Sequence, residues 1–230
     1  MEKGILYGIG VGPGDPELLT LKAVRLMREA DIIAVPDKGS GEKTALNIVR
    51  EHVEGKELLY CPTPMVRDAE RLEAAYSEIA DNIAELLEKG KTVVFITLGD
   101  PTVYSTYIYV HRKILAKGFE ALLVPGVPSF CAVAARLNLP LCEGSERLLI
   151  VPASYEATDT MDVNANLVFM KAGRGIMELQ SELRERGLLD GAAMVENCGM
   201  SDERVFESFA ELTENSGYFS VVIAKQKKSE

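Results

Sequence analysis

Four glycines, Gly8, Gly10, Gly12 and Gly14, with Pro13 and Asp15 among them, separate a short apolar run from an amphipathic segment. Glycines this close together form a tight strand-to-helix turn and let a flat ligand or a second domain approach the backbone. Dinucleotide binding is the first chemistry to test, and its fingerprint is G-x-G-x-x-G. Counted from Gly8 the last glycine is replaced by Pro13, and counted from Gly10 by Asp15. A carboxylate there has the wrong sign for pyrophosphate. The next strand closes in Val35-Pro36 instead of a ribose-binding acid. The turn therefore reads as a close-approach loop of another kind. Asp15 and Glu17 sit where a helix dipole stabilises carboxylates.

The run Leu98-Gly99-Asp100-Pro101-Thr102-Val103-Tyr104-Ser105-Thr106-Tyr107 is the second such place. Gly99 allows close approach, and Asp100 can cap the following turn or bond a ligand amine or hydroxyl. The spacing predicts a helix over 104–116, with Tyr104 and Tyr107 on one face and Tyr109 nearby. Tyrosines clustered at a rim suit a large, flat ligand edge; the alternative is packing in the core or at a subunit interface. Cys61, Cys131, Cys142 and Cys198 form no C-x-x-C pair and the histidines are only His52 and His111, so no metal site is expected. No Ser/His/Asp or Cys/His triad is visible.

The elements that must hold these residues alternate strand and helix. Apolar runs predict strands over 5–11, 31–35 (stopped by Pro36), 57–60, 92–98 and 120–124. Helical periodicity covers 16–30, 42–53 and 69–89, the last closed by Gly90. The fold class is α/β. A mostly parallel five-stranded sheet with helices on both faces is expected for residues 1–125. Ligands on such sheets bind beyond the carboxyl ends of the strands, which places the loops after Val11, Val35, Leu98 and Val124 at one rim. Residues 126–230 predict a second, mixed five-stranded α/β domain. Its helices cover 129–137 and 176–186, and its strands 148–151, 167–170, 192–196, 204–207 and 218–224. The last strands lie too close together for long crossovers, so some are antiparallel.

The net charge of −10 argues against nucleic acid as a partner. No apolar run approaches the roughly 18 residues that span a bilayer, and the start MEKGILYGIGVG lacks the core of a signal peptide. A cytoplasmic location without membrane contact is expected.

Three ordered segments carry a family resemblance: Y-G-I-G-V-G-P-G-D-P-E-L-L-T-L-K-A at 7–23, L-G-D-P-T-V-Y-S-T-Y at 98–107 and V-P-G-V-P-S-F at 124–130. F-M-K-A-G at 169–173 and E-N-C-G at 196–199 extend it over nearly the whole chain. The chain resembles the tetrapyrrole (corrin/porphyrin) methyltransferases, and within them the branch that methylates C-20 of precorrin-2 or its cobalt-loaded form in cobalamin biosynthesis. The resemblance implies two α/β domains with S-adenosylmethionine in the cleft between them and S-adenosylhomocysteine as product. It implies cofactor contacts from Pro13, Leu98, Gly99, Asp100, Val103, Ser129, Phe130, Met170 and Gly199. It also implies a homodimer. Pro128 stands where relatives commonly carry Ser or Thr.

The implied substrate is a polycarboxylate, so an acidic protein must supply local cations. Arg67, Arg112, Lys171 and Arg174 are the candidates, with Arg136 and Arg147 behind them. The C-20 proton needs an acceptor, for which Tyr104, Tyr107, Tyr109, a carboxylate or water are candidates. Two rival readings stand beside this one: a sister methyltransferase acting at another position of the macrocycle or on a modified histidine, and a non-catalytic nucleotide-binding module.

Overall fold

The computed structural model describes residues 3–39, 43–64, 66, 68–152 and 163–226. The chain divides into two compact units, Met1–Pro128 and Ser129–Glu230. In the first, β1 (Ile5–Gly10), β2 (Ile32–Asp37), β3 (Glu57–Pro62), β4 (Val93–Thr97) and β5 (Glu120–Val124) form one sheet in the order β3-β2-β4-β1-β5. Every pairing in it is parallel, as expected from strands separated by helices. α1 (Leu21–Glu29) and α2 (Thr44–Val49) share one core with Ile9, Ile33, Val94 and Ile96. α3 (Ala69–Glu88) and α4 (Tyr107–Ala116) share the opposite core with Leu6, Ala34, Val93 and Phe95. Alternate residues of each strand thus feed opposite layers. Because β4 lies between β1 and β2, the connections leaving β1 and β4 run in opposite directions across each other's strands. Their loops meet at the carboxyl rim.

Three local expectations are corrected. The helix expected over 16–30 is two elements. Asp15 Oδ1 accepts from Glu17 N (2.8 Å) and caps a 3-10 turn, Pro16–Leu18. Thr20 Oγ1 accepts from Ala23 N (3.1 Å) and starts α1 afresh. Leu19 and Thr20 between them are extended, which no continuous helix allows. Pro36 does not stop β2, because beyond Ala34 that strand has a ladder partner only in β3. A residue without an N–H is tolerated where one side of the strand is free. The helix expected over 104–116 starts at Tyr107, since Tyr104 has φ 49, in the left-handed region. α3 behaves as read: Asp68 caps it through Glu70 N and Arg71 N (3.0 and 3.1 Å), and Gly90 follows it at φ 74.

The second unit opens with α5 (Ser129–Arg136). β6 (Leu148–Pro152), β7 (Asn166–Met170), β8 (Ala192–Glu196), β9 (Arg204–Phe206) and β10 (Ser220–Ala224) form a sheet in the order β6-β7-β10-β8-β9. β6 and β7 are parallel and the other pairs antiparallel, the mixed sheet that the short connections require. α6 (Ile176–Glu185) packs Ile176, Leu179 and Leu183 against Leu167, Phe169, Met194 and Val222.

The segment after α5 is tied to this sheet by a polar cluster. Buried Asn166 donates through Nδ2 to Leu141 O (2.9 Å) and Glu146 Oε2 (2.8 Å), and Lys225 Nζ lies 3.1 Å from the same carboxylate. The Asn166 bond, then Lys225 and Glu143 N, pull the Glu146 pKa down to about 2. The folded pKa is depressed, so the stabilisation is complete above the ordinary value of 4.5 and is lost as pH falls through about 2. Urea unfolding midpoints of Glu146→Gln and the parent chain should differ most near neutrality and converge as pH approaches 2. A gap that stays constant across that range would contradict the assignment.

Candidate functional site

The carboxyl rim of the first sheet is built from backbone. Gly12 N donates to Gly99 O (3.2 Å) and Gly99 N to Gly12 O (2.8 Å), so the loops after β1 and β4 form a small bridge. Both glycines have positive φ, 76 and 71. Beside them, a Cβ on Gly10 would stand 2.5 Å from Gly99 O and 2.6 Å from Gly126 N. A Cβ on Gly126 would stand 2.3 Å from Gly99 O. The ends of β1, β4 and β5 therefore approach one another at distances that admit no side chain. Gly99 differs: no atom among the described residues beyond its chain neighbours lies within 4 Å of where its Cβ would project. Its bare Cα faces open space, the kind of cradle in which a ligand can reach main chain.

Asp100, 6% exposed, fastens this rim. Its Oδ1 accepts from Thr102 N (2.7 Å) and Thr102 Oγ1, and its Oδ2 accepts from Gly126 N (3.0 Å). Both oxygens are engaged within the protein. Of the two roles open in the sequence, the turn cap is the one the geometry displays. Pro13, Leu98, Gly99, Asp100 and Val103 fall together on these two loops. Thr97, the last residue of β4, adds a second fastening: its hydroxyl pairs with Ser105 Oγ at 2.8 Å, and its carbonyl accepts from Val11 N at 2.9 Å.

The three tyrosines do not share a face. Tyr107 is buried at 1% exposure, and its ring fills the space that a Gly8 side chain would occupy. Its hydroxyl lies 3.1 Å from His111 Nδ1, and burial pushes its pKa upward. Tyr109 is half exposed and stacks on Tyr76 with ring centroids 5.1 Å apart. Tyr104 alone stays on the rim loop, 46% exposed. The expected cluster is thus distributed over core, helix surface and rim, because the left-handed turn at Tyr104 breaks the helical spacing. Such a backbone costs a non-glycine residue about 1–2 kcal/mol.

At the second sheet, Met170 ends β7 and sits opposite Val221, which pairs on its other side with Val195 of β8. The loops after β7 and β8 therefore leave the same edge, carrying Lys171 and Asn197–Gly199. Lys171 (φ 59) and Asn197 (φ 52) are again left-handed, and Gly199 has φ 77. Buried Glu196 accepts from Gly217 N and pairs with Arg204 (3.4 Å), so it holds the loop before β10 against this edge. Gly199 N donates to Glu203 Oε2 (2.8 Å), which also meets Arg136 Nε through Oε1 (2.6 Å). Burial raises the Glu203 carboxyl, but the Gly199 and Arg136 bonds outweigh it and the net shift is downward. Ser129 and Phe130 open α5, with Phe130 buried.

The candidate cations that are described fall in both units. Arg112 lies exposed in the body of α4, away from the rim, and lowers the pKa of buried His111 behind the larger effect of burial. Lys171 Nζ lies 5.8 Å from the Tyr218 ring centre. Arg136 is committed to Glu203. Arg67 lies outside the described residues, and only the backbone of Arg174 is described, in the 3-10 turn Gly173–Gly175. Burial pushes the Cys61 thiol up to about 12 and that of Cys131 upward. A shallow depression lined by Asp81, Glu85, Glu88 and Lys117 lies at the ends of α3 and α4; it holds none of the motif residues. No described helix is long and apolar enough to cross a membrane.

Sequence reasoning missed Gly126, Thr97 and Ser105 as parts of the rim. Gly126 lay inside a quoted motif, and a glycine after a strand was the available signal. Nothing in the residue pattern marked the Thr97–Ser105 pair.

Residues 5–213 match the sequence model of the Tetrapyrrole (Corrin/Porphyrin) Methylases. The chain is 35% identical to a probable cobalt-precorrin-2 C(20)-methyltransferase of Methanocaldococcus jannaschii, over 97% of this chain and 96% of that protein. It is 32% identical to the cobalt-precorrin-2 C(20)-methyltransferase of Salmonella typhimurium, over 97% of each. The fold matches that of a uroporphyrin-III C-methyltransferase from Thermus thermophilus complexed with S-adenosylhomocysteine. The TM-score is 0.69 at 23% identity, over 96% of this chain and 97% of that one. Together with the paired glycine loops and the parallel and mixed sheets, a match of this extent means that the chain belongs to the tetrapyrrole (corrin/porphyrin) methylases.

Proposed function

We propose that the protein transfers a methyl group from S-adenosylmethionine to C-20 of precorrin-2 or cobalt-factor II in cobalamin biosynthesis. The observation that carries this reading is the similarity, along nearly the whole chain, to two proteins named as cobalt-precorrin-2 C(20)-methyltransferases, one of them as a probable one. The relative bound to S-adenosylhomocysteine supports the choice of cofactor. The rim fits such a ligand: Gly99 leaves open space beside main-chain groups, and Val103 adds an apolar side chain on the same loop. The proposed cofactor residues come from both units: Pro13, Leu98, Gly99, Asp100 and Val103 from the first, Ser129, Phe130, Met170 and Gly199 from the second.

When bound, S-adenosylmethionine supplies a methyl group already activated on sulfonium. The protein then needs no nucleophile of its own. The attacking carbon belongs to the macrocycle, where a meso position has enamine-like electron density. The chain's contribution is alignment, and well-oriented intramolecular reactions reach effective molarities of about 10⁵–10⁸ M. A rim fixed by backbone bonds and by Asp100 is suited to that task, because its donors are not free to reorient. Loss of the C-20 proton needs an acceptor; Tyr104 is the one of the three tyrosines exposed on the rim loop, and water is the alternative. Lys171, Arg67 and Arg174 remain the proposed partners of the substrate carboxylates, local cations in a chain of net charge −10, whereas Arg112 lies away from the rim. A cytoplasmic homodimer completes the proposal.

Calorimetric titration with S-adenosylhomocysteine, NAD and ATP tests the cofactor. Binding of the first at about micromolar Kd, near −8 kcal/mol, is expected, with no heat from the other two. Equal or tighter binding of NAD or ATP would favour a nucleotide module.

A further inference from the structure

Tyr104 keeps a left-handed backbone although it is not glycine. Such a conformation persists only where its surroundings over-determine it. Two fastenings flank it. Before it, Asp100 holds Thr102 through its carboxylate and Val103 N through its carbonyl (3.3 Å). After it, Ser105 Oγ pairs with buried Thr97 Oγ1 at 2.8 Å and accepts from Tyr107 N at 3.3 Å, satisfying the first N–H of α4. Thr106, at the capping position of that helix, makes no side-chain capping bond, so the hydroxyl at 105 does this work instead. Thr97 is also bonded through its carbonyl to Val11 of the first glycine loop. The pair thus connects the end of β4, the loop after β1 and the start of α4 at one point.

We infer that Ser105 is a positioning residue for the transfer reaction: its hydroxyl, locked to Thr97, holds Tyr104 in the strained turn that presents the phenol ring at the rim. The inference rests on the function proposed above. Without the Ser105 hydroxyl the turn loses one of its two fastenings, and the Tyr104 ring shifts from its place at the rim. The methyl donor, held by Gly99 and its neighbours on the other side of Asp100, is left in place.

The test needs two readouts. The chain has no tryptophan, so Tyr104→Trp places a single reporter at the turn. Adding Ser105→Ala to it should raise acrylamide quenching by about twofold if the fastening over-determines the turn. Unchanged quenching would overturn the inference. In turnover, Ser105→Ala should lower kcat by about tenfold with the KM for the methyl donor unchanged, the signature of an interaction made beyond the ground state. Ser105→Thr should restore most of it, and Thr97→Val, which removes the other hydroxyl, should reproduce the loss. Because Ser105 acts through Tyr104, the double variant with Tyr104→Phe should be no slower than Tyr104→Phe alone. Multiplicative losses, or a rise in donor KM in place of the fall in kcat, would assign Ser105 a general structural role. If the parent chain methylates neither macrocycle, the proposed function falls, while the quenching comparison still decides whether Ser105 holds the turn.

Discussion

Gly126→Ala should destabilise the first unit by about 3 kcal/mol, the upper part of the range for overpacking a rigid site. The added carbon would stand 2.3 Å from Gly99 O, 2.6 Å from Gly10 C and 2.7 Å from Gly10 O. All three contacts are backbone, so no flexible side chain can yield. Relief requires β5's exit to move away from β1 and β4, and that movement breaks the Gly126 N bond to Asp100 (3.0 Å). Stability and cofactor binding should therefore fall together. Denaturant unfolding of the parent and variant measures the first, and titration with S-adenosylhomocysteine the second. A variant within 0.5 kcal/mol of the parent, the usual range for neutral surface changes, would show that the three strand ends are not as closely packed as described.

Asp100→Ala should weaken S-adenosylhomocysteine binding by at least about tenfold and cost about 2–3 kcal/mol of stability, the penalty for stranding buried donors. The carboxylate is 6% exposed and accepts from two backbone N–H groups on different loops, those of Thr102 and Gly126. Removing it leaves both without their partner. Asp100→Asn keeps one acceptor oxygen and should fall between parent and alanine variant in both measurements. If the alanine variant loses affinity without stability, Asp100 acts as a direct ligand contact and the fastening described here is secondary. Unchanged affinity and stability would remove it from the site altogether.

Much of this arrangement is legible in the amino-acid sequence. Strands ending in glycine are recognisable because a buried parallel strand is a continuous apolar run and the loop beyond it needs positive φ, as Gly12 and Gly99 show. The mixed character of the second sheet followed from the short separation of β8, β9 and β10. What was not legible depends on contacts distant in sequence. Helical spacing placed Tyr104 and Tyr107 on one face, but the Thr97–Ser105 pair and the Asp100 turn override that spacing, and the helix starts at Tyr107. Tyr107 then turns inward because Gly8, on a different strand, leaves room for its ring. Likewise, Asp100 reads from sequence as a ligand contact or a cap; its bonds to Thr102 N and Gly126 N display the cap. The break at Leu19–Thr20 was visible in principle, since Asp15 and Thr20 are both capping residue types, but the basic amphipathic pattern across 16–30 masked it.

The most direct test of the whole account is a turnover assay with precorrin-2 and cobalt-factor II side by side, using a donor whose methyl carbon is isotopically labelled. The account predicts a product one methyl group heavier from at least one of the two, with NMR placing the labelled carbon at C-20. Label appearing at any other carbon of the ring, or no transfer to either macrocycle by a protein that binds S-adenosylhomocysteine, would contradict it.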